Sequence, residues 1–165
     1  FGMNASPIAG AQIVQGVMIF IALRMTFAVA VYYAVILAFG AVPSVCGIVT
    51  VPIAVLTGMA IGLLISSYSA TLKDERGQLA MVMRFGFTPM FLFSGTFFPL
   101  EQLPIYLQPI GWVSPLWHGV ELGRLAAYGH AIEPWLIAVH IGYLVSIVVI
   151  GLWSTSRTMT RRLAG

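Results

Sequence analysis

Charge is scarce in this sequence. Only 8% of its 165 residues are Asp, Glu, Lys or Arg, 59% are hydrophobic, and mean hydropathy is +0.97. A soluble domain carries roughly 25% charged residues. A water-facing surface cannot be made from so few, so the solvent for most of the chain is lipid. Cysteine is nearly absent as well. Cys46 stands alone, which excludes an internal disulfide and leaves no cysteine cluster for a metal. No G-x-x-x-x-G-K-S/T phosphate loop occurs, so ATP chemistry, if used, belongs to another polypeptide. No G-x-S-x-G nucleophile setting occurs either, and no catalytic set of residues emerges. The net charge of +3 sits in short clusters at the ends of apolar runs, which is a topogenic pattern and not that of a nucleic-acid partner. The first residue is Phe1, without a signal-peptide pattern, and the chain reads as a piece that begins inside a longer protein.

What remains is long, unalternated apolar sequence. Lipid offers no hydrogen bonds to an open backbone, so such runs cross a bilayer as helices of about 20 residues. The expected fold is all-α: a polytopic membrane helical bundle, a single transmembrane domain over 1–165 with earlier spans missing. Four spans are expected, about 17–42, 47–70, 78–98 and 134–156. Asn4, Ser6 and Pro7 give a helix-start signal before the first, and Arg24 is expected to snorkel from it to the near surface. A tight turn at Gly40, Pro43 and Ser44 separates the first two. Pro52 reads as a kink in the second span, and Gly58-x-x-x-Gly62 permits close approach of another helix. Thr88, Ser94 and Thr96 read as helix–helix hydrogen-bonders in the third.

Lys73, Asp74, Glu75 and Arg76 form the densest charge cluster and read as a solvated loop. Placing that loop inside puts Lys73, Arg76, Arg84, Arg157, Arg161 and Arg162 on one side. Of the lysines and arginines, the other side then holds only Arg124. Four spans thus satisfy the positive-inside rule, with a cytoplasmic C-terminus.

Residues 99–133 are the least ordinary stretch. Leu103, Ile105, Tyr106, Leu107, Ile110, Trp112, Val113, Leu116 and Trp117 favour burial, while Pro99, Pro104, Pro109 and Pro115 forbid one continuous helix. A re-entrant outer pair of short helices satisfies both demands. Ser114-Pro115 suits the start of the second and Gly129 its end. His118, Glu121 and Arg124 then share a polar face, with Glu121 and Arg124 placed for an ion pair. Two candidate ligands, His118 and Glu121, do not make a metal site. His140 is expected to bond a neighbouring helix, with a proton relay as the alternative. Gly95, Phe97, Phe98 and Pro99 mark the outer end of the third span. Gly weakens the helix, Pro stops it, and two Phe rings there are candidates for an outer gate.

The run Met90–Leu100 (MFLFSGTFFPL), then Leu103-Pro104, then Pro115–Arg124 (PLWHGVELGR) resembles the C-terminal part of ABC transporter type-2 permeases, especially lipo-oligosaccharide and daunorubicin-type drug exporters. The likeness is specific over 88–129. It is looser over 1–87, where Ser6-Pro7-Ile8 and Gly16 are similar to the start of the family's third span, so the chain would hold spans three to six. The resemblance implies a permease subunit of an exporter in the bacterial cytoplasmic membrane that moves an amphipathic substrate outward. It implies a second permease copy or paralogue and an ABC ATPase subunit dimer that carries ATP-Mg. It also makes Lys73, Asp74, Glu75 and Arg76 a candidate ATPase-coupling loop and the outer short helices a lid. A secondary, ion-coupled transporter is the alternative. It would usually carry acidic residues within its spans, and Asp and Glu are absent from all four here.

Overall fold

The computed structural model describes residues 10–41, 45–72, 77–129 and 132–164, and the described chain is helical without strands. Three long helices dominate: α1 (Gly10–Ala38), α2 (Thr50–Thr71) and α7 (Pro134–Ala164). Three stretches that coincide with them are long and apolar enough to cross a membrane: Gln12–Ala38, Gly47–Thr71, which takes in the turn before α2, and Pro134–Thr158. A 3-10 turn at Val45–Val49 leads into α2. Pro52 falls in the first turn of α2, where its missing N–H costs nothing, and not at a mid-helix kink. The Asn4–Pro7 signal, the Pro43 turn and the Lys73–Arg76 loop lie outside the described residues.

Small residues set the helix spacing. Met25 of α1 packs over Gly58 and Ile21 over Gly62, so the Gly58-x-x-x-Gly62 face receives a neighbour as its spacing predicts. On the other side of α2, Gly151 of α7 sits against the Leu63 backbone, and Ser67 and Ser154 join their hydroxyls at 2.5 Å. Ala60, Leu122 and Leu144 form the buried centre, with Ile53, Leu56, Ile137 and Ile147 packed around it. That centre takes one residue from α2, one from α6 and one from α7.

The expected span at 78–98 departs from an ordinary helix. It runs as α3 (Gln78–Val82), a π-helical turn (Met83–Phe87) and α4 (Thr88–Leu92). Pro89 has no N–H to give to the preceding turn, and the Thr88 hydroxyl bonds the Met83 carbonyl at 3.2 Å across the widened ring. At about 1.5 Å per residue this segment is roughly 22 Å long, short of the bilayer's hydrocarbon core. None of its residues is buried.

The proline-rich stretch folds as a 3-10 turn (Leu100–Gln102), α5 (Gln108–Val113) and α6 (Pro115–Tyr128). This is the expected pair of short helices, divided at Ser114-Pro115. Gly129, at φ +66°, closes α6 in the left-handed conformation that glycine adopts without strain. Gly119 lets α6 lie directly on α2, where a Cβ would overlap the Thr57 side chain. At the end of the apolar stretch of α7, Arg157 lies over the Trp153 ring at 5.2 Å. An aromatic ring and a guanidinium at that position suit a membrane–water boundary.

Candidate functional site

The turn that ends α4 carries the candidate gate. Phe93 leaves helical geometry, and Gly95 takes φ +77° with the Trp117 ring 3.2 Å from where a Cβ would stand. Ser94 donates to the Phe91 carbonyl at 2.7 Å and lies 2.7 Å from the Thr96 hydroxyl. These polar side chains, like Thr88, therefore serve their own turn and do not bridge helices as the sequence suggests. Phe97 and Phe98 are 60% and 46% exposed, so neither ring fills a core within this chain. Phe91 meets Phe97 edge to face at 5.4 Å, and Phe97 leads to Phe98 at 6.2 Å, giving a continuous aromatic surface. Pro99 ends it, and Leu100 turns inward and is buried.

Arg124 ties this turn to α6. One guanidinium nitrogen donates to the Gly95 carbonyl and the other to Glu121 Oε1 at 3.2 Å. The Glu121–Arg124 ion pair thus forms at the i, i+3 spacing read from the sequence. Its second bond, to a backbone carbonyl 29 residues away, has no sequence signal. Pro99, Glu101, Glu121 and Arg124 line an open cavity of about 330 Å³ beside the turn.

His118 makes no bond to Glu121 or Arg124 among the described residues; its Nδ1 lies 2.7 Å from His140 Nδ1 and its Nε2 3.0 Å from the Trp112 carbonyl. A carbonyl only accepts, so Nε2 carries the proton. Neutral His118 then accepts at Nδ1, and His140 donates from its own Nδ1. Tyr143 stacks on His118 at 4.0 Å and donates its hydroxyl to the Val113 carbonyl at 2.5 Å. The last carbonyls of α5, which no helical N–H reaches, are thereby satisfied by side chains from α6 and α7. The Trp117 ring meets both imidazoles edge to face, at 4.9 and 5.0 Å. Burial pushes the His118 pKa down to about 4. The bond to Trp112 opposes that shift, and the neighbouring His140 adds to it.

His140 therefore bonds a neighbouring helix as expected, though its partner is a second histidine. Tyr143 was missed, although it stands one turn from His140 on the same face of α7. Ser114 occupies the N-cap position of α6, but its hydroxyl makes no cap and is buried without a partner among the described residues, as is the Trp117 indole N–H. Lys73, Asp74, Glu75 and Arg76, the candidate coupling loop, lie outside the described residues.

Residues 1–128 match the family model described as ABC-2 type transporter. A protein named Nodulation protein J from Neorhizobium galegae is 35% identical over 112 residues, which cover 68% of this chain and 42% of that protein. A Nodulation protein J from Rhizobium leguminosarum bv. viciae is 36% identical over 76 residues, 46% of this chain and 29% of the relative. The chain thus spans less than half the length of these curated relatives. No solved structure matches it.

Proposed function

This chain belongs to the ABC-2 type transporter family, and from that premise we propose that it forms the permease part of an ATP-driven exporter. The cargo is an amphipathic molecule such as a lipo-oligosaccharide, lipid or hydrophobic drug, moved outward across the bacterial cytoplasmic membrane. The observation that carries this reading is the pair of short helices α5 and α6, held between the Gly95 turn and α7. A hairpin fastened at both sides by side-chain bonds, and not by continuous helix, can close a path and be released from it. In this reading the aromatic surface of Phe91, Phe97 and Phe98 is the outer constriction, and Arg124 sets the position of the turn that bears it.

The permease works as a pair, with a second copy or a paralogue, on a separate ABC ATPase dimer that binds ATP-Mg. The Lys73–Arg76 loop and residues 1–12 are the contacts proposed for that dimer, with the C-terminus on the same cytoplasmic side. The exposed Arg157 at the far end of α7 from the histidine pair supports that orientation under the positive-inside rule.

The test is biochemical. The purified permease alone should hydrolyse no ATP, and hydrolysis should appear on adding the ATPase subunit. Charge reversal of Lys73, Asp74, Glu75 and Arg76 together should leave hydrolysis but abolish its coupling to export. Undiminished export after the reversal removes this loop from the coupling path. Hydrolysis by the permease alone contradicts the division of labour.

A further inference from the structure

The contact between His118 and His140 is closed inside this chain. The two residues are 5% and 3% exposed, so the chain's own side chains enclose them and nothing packed on the bundle from outside is needed to cover them. Among the described residues this is the one side-chain hydrogen bond between α6 and α7. Trp117 of α6 lies beside it. Its ring meets both imidazoles edge to face and stands 3.2 Å from where a Gly95 Cβ would be. A shift of α6 away from α7 therefore moves the ring against which the Gly95 turn rests.

The closed pair has no comfortable place for a proton. His118 Nε2–H is given to the Trp112 carbonyl, and His140 Nδ1–H to His118 Nδ1. A proton on His118 Nδ1 sets two N–H groups against each other. A proton on His140 Nε2 leaves a buried imidazolium with no carboxylate bonded to it among the described residues. The neighbouring elements supply little to offset that charge. On α7 Tyr143 stacks on His118 and is bonded to Val113, and Glu133 precedes the helix. On α6 Glu121 is engaged with Arg124, which shares a cavity with Glu101 of the preceding turn. α5 has no ionisable residue, and α2 has only Tyr68. Cys46, in the turn before α2, is neutral at acidic pH.

We propose that His118 and His140 form a proton-released latch: protons reaching the pair from the membrane face at which Pro134 begins loosen α6 from α7 and, through Trp117, shift the Gly95 turn that carries Phe97 and Phe98. His140 lies six residues into the apolar stretch that starts at Pro134, about 9 Å from that face. Burial holds His118 at about 4 while the latch is closed, against 6.5 for an ordinary histidine. The closed state therefore refuses a proton that the open state accepts. Closure is complete above pH 6.5 and weakens as pH falls toward about 4. The latch is a property of the fold, and its control of export rests on the exporter reading.

The test uses the full-length permease in lipid nanodiscs, with native cysteines replaced by serine. Two separate reporters take the place of buried hydroxyls that have no partner among the described residues: Ser114→Cys at the start of α6, and Thr155→Cys in α7. Labelling by dithiodipyridine is divided by the rate for glutathione at the same pH, which removes the titration of the thiol itself. From pH 7.5 to pH 5.5 the rate at position 114 should rise about tenfold, the linkage expected of one histidine released from about 4 to 6.5. The rate at position 155 should not rise. His118→Phe with His140→Phe should label position 114 equally at both pH values. If that variant does not fold, His118→Gln, whose amide oxygen can still accept from His140, should flatten the rise in its place. Glu121→Gln and His130→Gln should each keep it. No rise at position 114, an equal rise at position 155, or a rise that survives loss of the histidine pair overturns the latch. ATP-driven export on the same preparation separates the two levels. Export without the rise sinks only the latch, and the rise without ATP-driven export sinks only the exporter reading.

Discussion

The Nδ1 atoms of His118 and His140 meet at 2.7 Å, joining the short helix α6 to the long apolar helix α7. The bond needs one ring to accept, and the Trp112 carbonyl forces that role on His118. Protonating His118 places two N–H groups face to face and removes the join. The ionisable group facing the pair from α7 is Tyr143, which stacks on it. On α6 the nearest charges, Glu121 and Arg124, are engaged with each other. α5 contributes only carbonyls. Of the helices behind, α2 carries Tyr68, near the Ser67–Ser154 contact, and the α1 tyrosines Tyr32 and Tyr33 line a cavity with Tyr128.

Stability should therefore depend on pH. His118 stays neutral in the folded state down to about pH 4, whereas its ordinary value is 6.5. Between those values the unfolded state takes up a proton that the folded state refuses. The contribution is complete above pH 6.5, falls as pH drops toward about 4, and then levels. The slope is about 1.4 kcal/mol per pH unit for each proton. Thermal melts of the detergent-solubilised protein between pH 8 and pH 4 measure it. His118→Phe with His140→Phe, which keeps aromatic packing and removes the titration, should flatten the profile. An unchanged profile in that double variant assigns the dependence elsewhere.

Gly119 should be intolerant of any side chain. A Cβ there would stand 2.9 Å from the Thr57 Cβ, which is held on α2 and cannot swing aside. Gly119→Ala should cost about 1–3 kcal/mol as α6 lifts from α2. Gly123, one turn further along α6, has open space around it, so Gly123→Ala should be neutral or slightly stabilising. Melting temperatures of the two variants give the comparison, and equal losses would refute this account of the contact.

Phe97 and Phe98 test gate against packing. Both rings are substantially exposed, so truncation should cost well below the roughly 3–5 kcal/mol expected for a buried ring. Phe97→Ala and Phe98→Ala should fold normally and alter transport, as faster ATP turnover without export or as a leak. Stability and export measured on the same purified variants decide. Losses that fall together, with normal export from the folded fraction, would mean the rings are packing against another subunit.

Cys46 should be reachable from outside the cell. A membrane-impermeant thiol reagent on intact cells should label it or an adjacent introduced cysteine. Labelling only after lysis reverses the orientation.

Much of the architecture was legible because lipid imposes simple rules. Long apolar runs became α1, α2 and α7, and Ser114-Pro115 and Gly129 marked the bounds of α6. Glu121 and Arg124 were placed by helical spacing. What escaped were contacts between elements distant in sequence. The His118–His140 bond spans 22 positions and Arg124 reaches Gly95 across 29, and no local pattern encodes either. The depth of Arg24 escaped for another reason. Arg24 was read as a boundary charge because an uncharged run follows it, yet α1 begins at Gly10 and its apolar stretch lies on both sides. The break at Met83–Phe87 needed the geometry around Pro89, since Pro alone does not predict a π turn.

The central claim, that this is a permease driven by a separate ATPase, is tested most directly by transport in inside-out vesicles. These would hold the full-length permease and its ATPase, with a fluorescent amphiphile outside. Uptake into the vesicles should require ATP, stop when the ATPase subunit is omitted, and persist when a protonophore collapses the proton gradient. Uptake that proceeds without ATP and is abolished by the protonophore would contradict the account and establish an ion-coupled transporter instead.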